Sequence, residues 1–210
     1  MDRIPTRLDQ DAAAASHGRV EIHFSGPFAW HKASDAPSLF DEDIGKSQGI
    51  YLWTIPLPEG HLIHYVGETG RSFSIRMLEH YKEHALCMYH LHDPVEFAQG
   101  RRATIWPGRY DANCRKTPLE CIAQYSRLAS VSQELARMYR FFLGAFASER
   151  RARCRVEAAI ASALYTAPEP AATFLDRGVR YVHRKTTETP LVCAMTSDVP
   201  LIGLPPHVLA

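Results

Sequence analysis

The sequence predicts an α/β (α+β) protein, a small antiparallel or mixed sheet with helices packed on it. Residues 49–67, GIYLWTIPLPEGHLIHYVG, hold two short apolar runs joined by a Pro/Gly-rich segment, which is a β-hairpin pattern. After GETGRS (67–72) the hydrophobic period changes to that of a helix. Two later segments, starting near 117 and 148, open on helix-start signals and run long.

The elements follow in chain order. Residues 1–18, rich in Asp, Ala and Ser, read as a loose tail, leaving 19–210 as one domain. RVEIHFSGPFAW (19–30) alternates at Val20, Ile22 and Phe24, a strand broken by Gly26 and Pro27. The polar, turn-rich stretch 33–48 reads as loop. Strands at about 49–55 and 62–67 then flank PLPEGH (56–61), read as a long turn. Ser72 is placed to N-cap the next helix. Leu78, Tyr81 and Ala85 fall on one face of that helix; Arg76, His80 and Glu83 fall on the opposite one. RRATIW (101–106) reads as a third strand, closed by Pro107 and Gly108. Thr117-Pro118-Leu119-Glu120 supplies an N-cap, a proline at N1 and a capping-box glutamate. From Ser148 a helix continues through ERRARCRVEAAIASALY (149–165) and ends before Pro168 and Pro170. The short runs RYVHR, LVCAM and PLIGLPP near the C-terminus read as extended.

Composition narrows the class. A net charge of +1 excludes a polybasic protein but not a local basic groove. Five cysteines, an odd number without a C-x-x-C pair, favour reduced thiols over a disulfide framework. No signal-peptide core and no run of membrane-spanning length is present, so the expectation is a soluble, cytoplasmic protein without membrane contact.

Gly49-Ile50-Tyr51 and Tyr65-Val66-Gly67, followed by a helix carrying Arg76 and His80, resemble the GIY-YIG nuclease superfamily. The resemblance covers about residues 47–168. It implies a central three-stranded sheet flanked by helices, from which a helical insertion at about 110–148 is a departure. It also implies hydrolysis of DNA phosphodiester bonds with one Mg²⁺ or Mn²⁺. Tyr51 is then the base, with His80 as its hydrogen-bond partner or the alternative base. Tyr65 orients phosphate or water, Arg76 stabilises the transition state, and a glutamate on a later helix binds the metal. That glutamate is Glu157, in RVEAAIASALYTAPEP, or Glu120; the capping role available to Glu120 favours Glu157.

The residue types suit this chemistry. A guanidinium grips phosphate oxygens in a bidentate way. Mg²⁺ keeps several waters and needs only one or two carboxylates. A tyrosine takes up a proton only if its ionisation, near pH 10 in water, is eased by a cation. Arg71, Arg150 and Arg153 are the candidate contacts to flanking phosphates. Cutting two strands with one site per chain suggests a homodimer.

The chain departs from the family pattern in three further ways. The spacer between the tripeptides is long, Glu68 stands where some members have lysine, and no asparagine follows the last proline, Asp176 being the nearest substitute. Two other readings follow from the residues. One is a nucleic-acid-binding module of the same fold without catalysis. The other is a zinc metallopeptidase using HYKEH (80–84), an H-x-x-E-H motif, with Glu157 as a third ligand. Cys87, His90 and His92 lie close together but match no standard zinc spacing.

Overall fold

A computed structural model of the chain describes residues 18–111, 114, 116–177 and 181–210. The tail at 1–17 and Asn113 lie outside the described residues. The architecture is mixed α/β around one seven-stranded sheet, not the small three-stranded sheet expected. Its strands are β1 (Gly18–Phe28), β2 (Gly49–Leu57), β3 (Gly60–Thr69), β6 (Arg140–Ala145), β7 (Leu191–Ser197), β8 (Leu201–Ile202) and β9 (His207–Leu209). They run in the order β8-β3-β2-β6-β1-β7-β9. A separate ribbon pairs β4 (Leu91–His92) with β5 (Thr104–Trp106). The helices are α1 (Phe73–Ala85), α2 (Pro94–Phe97), α3 (Pro118–Ala123), α4 (Tyr125–Met138), α5 (Arg150–Tyr165) and α6 (Ala171–Phe174).

The hairpin forms with longer arms than expected. Only Pro58 and Glu59 lie outside the strands, and Ile55↔Leu62, Pro56↔His61 and Leu57↔Gly60 continue the ladder. The long spacer is therefore strand, with one bulge between Trp53 and Thr54, and not an enlarged turn. Pro56 is tolerated because pairing of β2 with β6 stops at Thr54↔Arg140, so the missing N–H costs no ladder bond on that side. β1 likewise runs through Gly26 and Pro27 to Phe28, with its register shift between Ser25 and Phe28. The loop at 33–48 contains one short 3-10 turn, Asp43–Lys46.

The third strand of the central antiparallel trio is β6, RFFLGA, inside the stretch expected to be a helical insertion. RRATIW contributes β5 to the separate ribbon instead. Arg140 makes the reversal from α4 into β6 by donating to the carbonyls of Arg137 and Tyr139 at 2.8 and 2.9 Å, while Asp35 pairs with its guanidinium at 2.7 Å.

Alternation sorts the sheet into two faces. Tyr51, Trp53, Ile55, Phe141 and Leu143 point to the side covered by α1 and α4, where Phe73, Met77, Leu128 and Leu135 are buried. Ile50, Leu52, Ile63, Val66 and Phe142 point to the side covered by α5, whose stripe is Val156, Ile160, Ala161 and Leu164. Burying each such side chain contributes roughly 1.5–3 kcal/mol. The caps are as read: Ser72 accepts from Ile75 N, and Thr117 with Glu120 forms a reciprocal capping box. The facing of α1 is the reverse of an apolar-inward reading. Phe73, Met77, His80 and His84 are buried, while Leu78 is exposed. Near the C-terminus LVCAM forms β7, whereas 181–184 form no strand. Among the described residues no helix is long and apolar enough to cross a membrane.

Candidate active site

The tripeptide tyrosines meet because of where the hairpin puts their neighbours. Tyr51 on β2 pairs directly with Gly67 on β3 and lies one ring away from Tyr65, with centroids 6.1 Å apart. α1 then lays Arg76 and His80 over the phenol. Tyr51 Oη is 2.7 Å from His80 Nε2 and accepts from Arg76 Nε at 3.4 Å. His80 Nδ1 is 2.6 Å from Tyr89 Oη, so both ring nitrogens are engaged. Tyr89 in turn donates to Glu83 Oε2, and Tyr110 donates to Glu83 Oε1 at 3.1 Å.

Glu157 arrives from the other side of the sheet, on α5. Its charge acts on both Tyr51 and Tyr65, and Arg76 acts on it. Thus Tyr51, Tyr65, Arg76 and His80, from three elements, come together, and Glu157 on a fourth lies within electrostatic reach of them. Glu120 does not join them. Its carboxylate accepts from Thr117 N at 2.7 Å and pairs with Lys116 at 3.2 Å, a capping assignment at the exposed start of α3.

Burial sets the electrostatics. It pushes the Tyr51 hydroxyl up to about 12, against the opposing charge and hydrogen bond of Arg76. It drives the His80 imidazole well below its ordinary value, helped by Arg76, so the ring is neutral. It raises the Glu157 carboxyl to about 7, reinforced by the charge of Glu68 and opposed by a hydrogen bond to the Glu68 backbone and by Arg76. No Lys or Arg among the described residues lies within ion-pair distance of Glu157. That leaves a half-buried carboxylate whose ionised form lacks a cation, which suits a hard divalent ion that keeps its waters. Among the described residues no group of three or more His, Cys, Asp and Glu is gathered to hold a metal, so a cation here would rest on Glu157 and water.

The arginines divide. Arg150 is exposed at the start of α5, on the same helix face as Glu157. Arg153 departs from its expected role: it is buried, pairs with Glu68 at 2.8 Å and donates to the Ser148 carbonyl, leaving no surface for a phosphate. Arg71 is half-exposed but clamps Glu79 with two bonds of 2.6 Å, and Arg76 shares that carboxylate at 3.2 Å. Asp176 pairs with Arg102 at 3.2 Å.

The zinc-peptidase constellation is not assembled. His80 gives its nitrogens to two tyrosines, His84 Nδ1 is held by Ser132 Oγ at 2.7 Å, and Glu83 accepts from Tyr89 and Tyr110. Cys87, His90 and His92 do not converge either: His92 stacks on Phe97 and His90 faces Asp111 at 3.4 Å.

Sequence reasoning missed Tyr89 and Tyr110, which lie beyond α1 where no helical period reaches. It also gave no role to Gly67 beyond its place in the motif. Glu83 had a signal, sharing the face of Arg76 and His80 at i+7 and i+3. Comparison with family models, curated proteins and solved structures found no match to this chain.

Proposed function

We propose that the protein is a divalent-metal-dependent endonuclease that hydrolyses phosphodiester bonds in DNA, of the GIY-YIG kind that the motifs resemble. The observation that carries this reading is the meeting of Tyr51, Tyr65, Arg76 and His80, with Glu157, more than a hundred residues along the chain from Tyr51, within electrostatic reach of it. These are the functional groups that phosphodiester hydrolysis needs.

Each residue has a role. Tyr51 takes the proton from the attacking water while its own proton leaves toward His80. Arg76, already directed at the Tyr51 oxygen, stabilises charge developing on the phosphate. Tyr65, packed beside Tyr51, orients the phosphate or the water. Glu157 would hold Mg²⁺ or Mn²⁺, which would supply charge neutralisation and acidify the water. Arg150 contacts a flanking phosphate.

Incubating supercoiled plasmid with the protein and Mg²⁺ or Mn²⁺, beside Tyr51→Phe, Arg76→Ala and Glu157→Gln, tests the assignment. Metal-dependent nicking should fall roughly 10²–10⁴-fold in Tyr51→Phe, the range for losing a general base. Equal nicking by the variants overturns the site. DNA binding without nicking across several substrates would instead favour a catalytically inactive module of the same fold.

A further inference from the structure

We infer that Tyr89 and Glu83 extend the Tyr51–His80 pair into a proton relay that opens to solvent at Tyr110. The relay deepens the nuclease reading and rests on it for its chemistry, but its hydrogen-bond polarity can be measured without activity.

The polarity is fixed from the outer end. Tyr89 donates its hydroxyl hydrogen to a Glu83 carboxylate oxygen, which accepts. The Tyr89 oxygen is then the acceptor for His80, and His80 must carry its hydrogen on Nδ1, 2.6 Å away. That leaves Nε2 bare, to accept the Tyr51 hydroxyl hydrogen at 2.7 Å. Arg76 Nε donates to the same Tyr51 oxygen from another direction, so the Tyr51 proton points at His80 and not at Arg76. Every donor has one acceptor, and the chain runs one way. Tyr51 and His80 are buried and Tyr89 is partly buried, whereas the Glu83 side chain is 28% exposed and Tyr110 is 57% exposed. Among the described residues, Glu79 on α1, Tyr65 on β3 and Glu157 on α5 are the further charged or titratable groups that act on the chain.

The transfer balances. The O–H bond of the attacking water breaks and its proton bonds to the Tyr51 oxygen. The Tyr51 proton moves to His80 Nε2, the His80 Nδ1 proton to Tyr89, and the Tyr89 proton to Glu83. The water oxygen bonds to phosphorus, and the bond to the leaving oxygen breaks with its electron pair on that oxygen. The net result is one proton moved from water to Glu83, with His80 changed from one neutral tautomer to the other. His80 never holds a full positive charge, which its burial beside Arg76 disfavours. Tyr89 and Glu83 act through His80 and are positioning residues.

The ¹⁵N imidazole shifts of His80 in the intact protein give the first test, and steady-state cleavage by Tyr89→Phe and Glu83→Gln gives the second. The Nδ1–H tautomer is expected in the wild type, and Tyr89→Phe, which keeps the ring but removes the acceptor, should populate the Nε2–H form. In both variants kcat should fall about 10–100-fold with KM for DNA nearly unchanged, a split that a packing role would not produce. Glu83→Asp should recover part of the loss. An Nε2–H tautomer in the wild type, or wild-type kcat in both variants, overturns the relay. If the wild type nicks no DNA, the nuclease reading falls, and the His80 tautomer with its response to Tyr89→Phe still decides the relay.

Discussion

The phenol of Tyr51 occupies the space that a side chain at Gly67 would need: a Cβ at that position would stand 2.3 Å from the ring Cζ and 2.4 Å from the hydroxyl oxygen. The first tripeptide needs its tyrosine and the second needs its glycine for one reason, since the two residues are directly paired across β2 and β3. The glycine is a bay for the hydroxyl that meets His80 and Arg76. Gly67→Ala should cost about 1–3 kcal/mol of overpacking and displace the hydroxyl from its 2.7 Å bond to His80. Nicking should then fall at least ~10²-fold, far more than the change in thermal midpoint would suggest. Wild-type turnover in Gly67→Ala would show that the phenol is not held by this bay.

Arg150 and Arg153, one turn apart on α5, should separate binding from stability. Arg153 is buried on Glu68, so Arg153→Ala leaves a carboxylate unpaired and should cost about 3–5 kcal/mol in denaturant unfolding. Arg150 is exposed, so Arg150→Ala should change stability by less than about 0.5 kcal/mol. It should instead weaken DNA binding and reduce the slope of log affinity against log salt by about 1. The reverse pattern would remove Arg150 from the DNA contact.

Glu157 makes a prediction about the metal-free protein. Its carboxyl is raised to about 7 from 4.5, so the neutral form is favoured on folding and that contribution is lost as pH rises from 4.5 through 7. Glu157→Gln removes the penalty. The variant should be more stable than wild type at pH 8, by up to about 3 kcal/mol, and similar to it near pH 4.5. Excess Mg²⁺ or Mn²⁺ should raise the wild-type melting temperature at pH 8 and leave that of Glu157→Gln unmoved. An equal metal response in both would move the cation elsewhere.

The site was more legible than the sheet that carries it, for physical reasons. Tyr51, Tyr65, Arg76 and His80 sit on a hairpin and the helix that follows it, where local periods place residues well. The third central strand was not legible, because RFFLGA is buried on both faces and follows the amphipathic α4 directly, so its apolar run reads as continued helix. The inward face of α1 carries two histidines besides Phe73 and Met77, so hydrophobicity alone selects the wrong side. β7 joins the sheet by pairing in parallel with β1 at the other end of the described chain, which no local pattern announces. The relay beyond His80 depends on Tyr89 and Tyr110, brought back by a loop after α1.

The buried histidines make acid the protein's weak side. Burial holds His64 down to about 3, with Arg102 adding to it, His84 to about 4, and His92 to about 2, with His64 adding to it. All three fold neutral, whereas in the unfolded chain they gain protons near 6.5. The unfolded state therefore binds more protons below that pH, and stability falls as pH drops, at about 1.4 kcal/mol per unit for each histidine. Glu157 works in the opposite direction between pH 7 and 4.5, cancelling one of the three. With His80, which burial also holds well below its ordinary value, four histidines act against Glu157, and the net loss should be about 4 kcal/mol per unit between pH 6 and 5, large against a typical 5–15 kcal/mol total. His92 lies flat on Phe97, the rings 5.2 Å apart and 5° from parallel, so His92→Phe keeps the shape and removes one titrating group. Urea unfolding of that variant across pH 7 to 5 should show a shallower decline by about one histidine's share. An unchanged slope would mean that His92 does not stay neutral in the fold.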